Sequence, residues 1–505
     1  MGDPIGNTGT AKNTPPLAGA RKFVSDVAVR GIFQVLNALK GLLYLPLISK
    51  QFGAQGYGIW SQVIITIALF SPVLNLGLGD AVVRYLGSIN DQSERARSFF
   101  SAAAVVWLIS IVAFLSGLFG SRPIAQLMFN DSSLTAYVVL FLGLLVMRVN
   151  LTFMLSYYRS MSAIKLYTTF QTGEILADLT ALAVITIFLH RGMIAVLQAF
   201  IVIDLCLVLY LLVDIVRREG ISLRPDWIIL KKYLRYGLPL VLAAALYWVV
   251  NSGDRYVIVH YLGLEQVAIY SAAYRLGQVL TFLVQPISFA LLPAIARMWE
   301  TGDRRKASVY MAQSLKYYTL LAAPAAAGLV ILGPSVLRSL GTETFSVSQG
   351  LIAALVVGIF FVGLYQIYVY ILYLQEKTKL LPLIFLLVAA LNLGLNILLV
   401  PVIGILGAAL TTCLSYFVQF AIVYWYTRKL FKVPFQISFV LKAMASSAAM
   451  YGVLSMLPNE TLLDWGVIVV IGIAVYSSVL LALRGMKRED IQQIVSLLRI
   501  TRRQP

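Results

Sequence analysis

Ten ionisable side chains fall inside stretches that are otherwise apolar. Five are cations, Arg30, Lys40, Arg148, Arg255 and Arg275, and five are acids, Asp26, Glu174, Asp178, Asp204 and Asp254. A charge near the centre of a bilayer costs at least about 2.5–3.5 kcal/mol on insertion scales, so such groups face water, a ligand or one another. The chemistry open to them is ion chemistry. Cations in a wet cavity can receive an anion, and acids there can hold a proton or a coupling cation. Glu174 and Asp178 have no cation on their own span and Asp204 lies mid-span, so these three are the ion-coupling candidates, either a proton or a sodium ion being the partner.

Spacing sharpens the assignment. At about 100° per residue, side chains three or four apart share a helix face. Asp26, Arg30, Gln34, Asn37 and Lys40 form one stripe on the first span. Tyr247, Asn251, Asp254 and Arg255 cluster on the seventh. Tyr270, Tyr274, Gln278, Thr281, Gln285 and Ser288 line one side of the eighth, with Arg275 beside them. Gln171, Glu174 and Asp178 follow on the fifth. These stripes predict a polar cavity between helices. Each also has a plainer reading. Asp26 and Arg30 can form an i, i+4 salt bridge. Asp254 and Arg255 can neutralise each other and pin two helices together. Lys40 and Arg148 can snorkel to the interface.

The elements that carry these stripes follow from composition. The chain has 505 residues, 60% hydrophobic and only 12% charged, with a mean hydropathy of +0.84. Soluble domains are about 25% charged, so this is an integral membrane protein. Its apolar runs match the roughly 20 residues that a spanning helix needs, and they lack the alternation of a membrane barrel. The expected fold is an all-α polytopic membrane protein of about fourteen transmembrane helices. The first two are read at 22–48 and 57–84, and the seventh and eighth at 237–261 and 267–296.

The net charge of +18 serves topology and gives no reason to invoke nucleic acid. Cations crowd one set of loops, including Arg217, Arg218, Arg224, Lys231, Lys232, Arg235, Arg304, Arg305 and Lys306. The other set holds only Lys50, Arg122, Arg191 and Arg338. The positive-inside rule then places both termini in the cytoplasm of a multi-pass protein of the inner (cytoplasmic) membrane.

The expected organisation is a disordered tail at 1–20, a six-helix lobe at 21–216 and a basic inter-lobe loop at 217–236. A second six-helix lobe at 237–430 and two further helices at 431–484 follow. A basic amphipathic tail at 485–505 carries Ile491, Ile494, Val495 and Leu498 at helical spacing. The lobes echo each other. ISKQFGAQGYGIWS aligns with IVHYLGLEQVAIYS at a shift of 210, matching Ile48 to Ile258, Gly53 to Gly263, Ile59 to Ile269 and Ser61 to Ser271, with Trp60 against Tyr270. Copies that begin on the same side make a parallel repeat, a known transporter plan with its site between the halves.

Other classes find little support. No phosphate loop GxxxxGK[ST] occurs. Only His190 and His260 are present, and Cys206 and Cys413 fall inside apolar spans as inert buried thiols, so no metal site and no cofactor are expected. An enzyme would need an acid or base in an outer loop, where Glu265, Glu343, Glu460 and Asp464 are the notable ones. A non-enzymatic secondary transporter is the expectation.

Three segments carry a resemblance: GIFQVLNALKGLLYLPLISKQFGAQGYGIWSQ, NSGDRYVIVHYLGLEQVAIYSAAYRLGQ and PVIGILGAALTTCLSYF. They resemble the polysaccharide flippases of the multidrug/oligosaccharidyl-lipid/polysaccharide exporter superfamily, O-antigen flippases among them. The resemblance implies a V-shaped, alternating-access transporter carrying undecaprenyl-diphosphate-linked oligosaccharide from the inner to the outer leaflet for surface polysaccharide synthesis. The glycosyltransferases and polymerase of that process would be its working partners. The resemblance also implies that Arg30 and Arg275 meet the diphosphate, and guanidinium suits phosphate through paired donors. Arg255 joins them as a diphosphate ligand, Lys40 and Arg148 are further ones, and Asp26 and Asp254 would neutralise the arginines while the cavity is empty. Asn37, Gln34, Asn251, Tyr270, Tyr274, Gln278 and Gln285 are expected to line the cavity. The alternative is a cation-coupled multidrug antiporter of the same superfamily, which Glu174, Asp178 and Asp204 would suit.

Overall fold

The computed structural model describes residues 16–222, 224–434 and 436–486; for 16–32, 34, 35, 38 and 39 it describes the backbone alone. The expected tails thus fall mostly outside the described residues, as do the side chains of Asp26, Arg30 and Gln34. The described chain is all-helical: α1 (Pro16–Asn75), α2 (Leu78–Tyr85), α3 (Gln92–Phe119), α4 (Ser121–Phe129), α5 (Thr135–Ser160), α6 (Ile164–Ala183), α7 (Met193–Glu219), α8 (Trp227–Ser252), α9 (Asp254–Leu262), α10 (Leu264–Gly277), α11 (Thr281–Glu300), α12 (Arg304–Leu340), α13 (Gln349–Leu374), α14 (Leu380–Ile403), α15 (Ile405–Leu430), α16 (Ile437–Leu454) and α17 (Leu462–Ala482). Among the described residues, thirteen helical stretches, from Lys40–Asn75 to Leu462–Ala482, are long and apolar enough to cross a membrane. They correspond to the expected second to fourteenth spans. The expected first span is the leading arm of α1.

Helices are the element a lipid-embedded chain must adopt, because each closes its own backbone hydrogen bonds. Their outer faces carry bare apolar side chains such as Leu108, Leu398 and Val470, which lipid covers. Cys206 is on such a face; it is exposed, not buried as expected, whereas Cys413 is half-buried, and both are free thiols.

Two sharp turns are set by glycine. Gly53 (φ 69°, ψ −173°) breaks α1 into two arms, and Gly263 (φ 84°, ψ 176°) separates α9 from α10. A side chain strongly disfavours this backbone region. Both glycines occupy the same place in the 210-residue echo, and the likeness extends to packing. Ile48 and Ile258 are both fully buried, Ile59 and Ile269 nearly so. Ser61 Oγ donates to Ser271 Oγ at 2.7 Å. Equivalent residues touch each other only near an axis that relates the two copies, so this contact marks the pseudo-two-fold relation of the lobes.

The first lobe runs through α7 and the second from α8 to α15. The link between them is shorter than the expected 217–236, because α7 continues to Glu219 and α8 begins at Trp227, capped by the Asp226 carboxylate on Ile228 N and Ile229 N. The seventh span, expected as one helix, runs through α8 and α9, which meet at Gly253 with helical backbone angles (φ −62°, ψ −29°). The second ends early, at Asn75, where Leu76 and Gly77 both take positive φ before α2. Helices α16 and α17 pack on α12 through a small separate core that includes Ile331, Phe439, Met450, Ile468 and Tyr476.

Candidate functional site

A cavity of about 670 Å³ lies between the lobes. The first lobe contributes Asn37, Lys40, Gly41, Tyr44, Trp60, Ser71, Arg148 and Thr152 to its wall. The second contributes Tyr247, Asn251, Tyr274, Arg275, Gln278, Thr281, Gln285, Gln366 and Tyr416. Thus Asn37, Asn251, Tyr274, Gln278 and Gln285 occupy the lining positions that their helical stripes suggested. The wall is cationic, amide-rich and aromatic.

Arg275 stands in the last turn of α10, just before the 3₁₀ segment Gln278–Leu280 interrupts the eighth span. Among the described residues no carboxylate pairs with it. Its Nη1 lies over Gly41 of α1, where an added Cβ would come within 3.0 Å. The missing side chain at Gly41 gives the guanidinium its room.

Lys40 and Arg148 do not snorkel. They share a cluster with Glu174, Asp178 and Asp204. Lys40 Nζ is 3.0 Å from Asp178 Oδ2. Arg148 Nη2 donates to the same oxygen at 2.8 Å, its Nε lies 2.7 Å from Asp204 Oδ2, and its Nη1 pairs with Glu174. Both cation side chains keep 18% of their exposure while Asp178 and Asp204 have none. The cations therefore form the cavity surface, and Asp178 and Asp204 lie behind them. Two cations face three carboxylates, and Asp178 Oδ1 and Asp204 Oδ1 are buried without a hydrogen-bond donor among the described residues. A buried oxygen in that state has spare capacity for a proton or a cation.

Arg255 is placed otherwise than expected. It is 3% exposed and lies behind the cavity wall. Its Nη1 donates to Asp254 Oδ1 at 2.6 Å and to the Asn251 carbonyl at 2.5 Å. The second bond serves the backbone just before Gly253, where α8 and α9 meet. Its guanidinium covers the rings of Tyr274 at 4.2 Å and Tyr270 at 4.9 Å. Asp254 Oδ2 accepts from Tyr270 Oη at 2.6 Å and from Thr412 Oγ1 at 3.2 Å. Asp254 and Tyr270 are accordingly buried too, and off the cavity. In front of them, Tyr416 Oη donates to Asn251 Oδ1 at 2.8 Å and meets Tyr274 Oη at 2.7 Å. Arg255 therefore does not join Arg275 as a ligand at the cavity: Tyr274 and Arg275 line it, and Arg255 lies against the Tyr274 ring behind. Asn392 and Asn396 are likewise buried, bonded to each other and to Ser415 between α14 and α15.

Sequence reasoning missed Gly41, Tyr44, Trp60, Thr152 and Tyr416. Tyr44 and Trp60 had a signal, since one lies four residues past Lys40 and the other belongs to the echo. Tyr416 had one too, since Thr412, Ser415, Tyr416 and Gln419 fall at helical spacing on α15.

Comparison with known proteins follows from this geometry. Residues 23–299 match the family model described as polysaccharide biosynthesis protein. The chain belongs to that family. Residues 239–402 also match the MatE model, which places the chain in the multidrug/oligosaccharidyl-lipid/polysaccharide exporter superfamily. The probable flippase AglR of Haloferax volcanii is 23% identical over 475 residues, 92% of this chain and 96% of its own length. Among solved structures, the inward closed conformation of the lipid II flippase MurJ superposes with a TM-score of 0.74 at 15% identity, covering 90% of this chain and 98% of that one. The inward-facing conformation of a multidrug resistance MATE transporter superposes at 0.66 and 12% identity, covering 79% and 93%. The two-lobe, multi-pass membrane fold is therefore that of flippases and drug exporters alike.

Proposed function

We propose that this protein is a flippase that carries a polyprenyl-diphosphate-linked oligosaccharide, of the undecaprenyl type, from the inner to the outer leaflet by alternating access, for surface polysaccharide synthesis. The observation that carries the reading is Arg275: a guanidinium in the inter-lobe cavity, without a carboxylate among the described residues, with Lys40 and Arg148 in the same wall. An anionic headgroup supplies what that surface lacks. Amides and aromatic rings beside it suit sugars, which present hydroxyls and apolar faces. The probable flippase AglR, similar over nearly its whole length, supports the same class of activity. Arg30 joins Arg275 by family resemblance. Arg255 acts indirectly, by fixing Tyr274 and the Asn251 backbone behind the wall.

The loop charges orient the chain with both termini in the cytoplasm of the inner membrane. Gly53 and Gly263 then lie at the outer end of the lobes. No covalent step is assigned to any residue. Coupling, where the cycle uses an ion, falls to Glu174, Asp178 and Asp204 with a proton or sodium, and glycosyltransferases and a polymerase would act before and after transport. Arg275→Ala should abolish surface polysaccharide, and transport of a polyprenyl-diphosphate glycan in proteoliposomes, with the protein still inserted at its normal level. Unimpaired transport by that variant would overturn the reading.

The excess of carboxylates in the first lobe, with the MatE match, favours one second reading, a cation-coupled drug antiporter. Overexpression conferring resistance to cationic drugs, with no effect of Arg275→Ala, would select it. The cationic cavity surface argues against a cationic cargo.

A further inference from the structure

A smaller cavity of about 190 Å³ adjoins the main one, with Ser71 and Thr152 bordering both. Its first-lobe wall is polar, formed by Asn75, Ser156, Arg159 and, on the same side, Asp80. Its second-lobe wall is apolar, from Leu240, Val241 and Ala244 of α8. Arg159 lies eleven residues beyond Arg148 on α5, about 16 Å along the axis at 1.5 Å per residue. Among the described residues it has no ion-pair partner, and it packs only over the Tyr167 ring at 5.8 Å.

Beyond this cavity the lobes close on each other. An added Cβ on Gly77 would stand 2.5 Å from the Gly237 carbonyl oxygen, and one on Gly237 would stand 2.5 Å from that of Leu76. Only two glycines permit so close a backbone approach. Around it the lobes exchange cations and rings. Arg84 of α2 lies over Tyr236 of α8 at 4.7 Å, and Lys232 of α8 lies over Tyr85 of α2 at 4.3 Å, while Tyr85 stacks on Tyr233 at 5.7 Å. Exposed cation–π contacts are individually weak, so such a clasp can part and re-form.

We propose that the smaller cavity is a staging site for the phosphate-bearing headgroup of the cargo. Arg159 receives the anion when the Arg84–Tyr236 and Lys232–Tyr85 clasp parts, and the wall shared through Ser71 and Thr152 leads it to Arg275. The apolar α8 wall faces the lipid-derived part of the same molecule. The inference rests on the flippase reading.

The test uses full-length protein in proteoliposomes with a fluorescent polyprenyl-diphosphate disaccharide, and purified protein with farnesyl diphosphate. Arg159→Gln should slow transport and farnesyl diphosphate association about tenfold, the weight of one charge-assisted contact, without changing the dissociation rate. Arg159→Lys should recover most of both. Transport by Arg159→Gln within twofold of wild type, while Arg275→Ala is inactive, overturns the staging site and leaves the flippase reading standing. Equal slowing in Arg159→Gln and Arg159→Lys also overturns it, because packing and not charge would then be the cause. No transport by wild type rejects the flippase reading, and the staging site with it.

Discussion

The two lobes share a backbone frame and pair their buried acids differently. In the first, Lys40 and Arg148 stand at the cavity, paired with the buried Asp178 and Asp204 and the half-buried Glu174, two cations to three acids. In the second, Asp254 and Arg255 balance one to one and are sealed off by Tyr270, Tyr274 and Thr412. The 210-residue echo makes the contrast specific. Asp254 occupies the place of Tyr44, and Tyr270 that of Trp60. The first lobe has an edge-on ring pair there, with centroids 5.3 Å apart; the second has a 2.6 Å hydrogen bond onto a carboxylate. The first lobe thus backs its cavity cations with buried acids, and the second seals its ion pair behind the wall and leaves Arg275 alone to face the cavity.

The largest effect is expected where charge is both buried and unbalanced. Arg148→Met strips Asp178, Asp204 and Glu174 of their shared cation. Breaking a buried ion pair from one side costs about 3–5 kcal/mol, so thermal unfolding in detergent should shift strongly downward and transport should be lost. Replacing Asp204 with Asn in the same protein should recover part of the stability but not the transport, because the cavity still lacks the cation. Recovery of both would give the first-lobe cluster the same structural role as the second.

Next comes the sealed pair. Arg255→Met alone leaves Asp254 buried without its cation and should cost about 3 kcal/mol. Asp254→Leu with Arg255→Met replaces both partners, a change that is often close to neutral. The double variant should unfold within about 1 kcal/mol of wild type and retain transport. Transport lost in a double variant of normal stability would mean that Arg255 touches the cargo in another state of the cycle.

These contrasts also mark what the sequence can convey. Composition and the recurrence of apolar runs announce a polytopic helical protein, and the echo around Gly53 and Gly263 announces two related halves. Helical spacing identifies the face on which Asn251, Tyr274, Gln278 and Gln285 lie. It does not say which helices meet. Glu174, Asp178 and Asp204 pair with cations of α1 and α5 and with none of their own helices, a juxtaposition that only packing creates. Nor does spacing reveal depth behind a wall. Asp254 and Arg255 share a stripe with Asn251, but Tyr270, Tyr274 and Thr412 cover them. The basic run at 217–236 reads as a loop because its cations break the apolar pattern, and yet Lys231, Lys232 and Arg235 decorate the first turns of α8.

The smallest effect tests the frame that makes the comparison possible. Ser61 and Ser271 are equivalent in the echo and bonded to each other. A single neutral hydrogen bond contributes about 0.5–1.5 kcal/mol, so Ser61→Ala and Ser271→Ala should each lower stability by that amount. Because both remove the same bond, the double variant should lose no more than either one, a coupling that independent sites do not show. Additive losses would mean that the serines serve separate neighbours and that the axis does not pass between them. Equal and non-additive losses would place the axis at this bond, and leave the contrast between the charge clusters as a difference in side chains laid on one backbone plan.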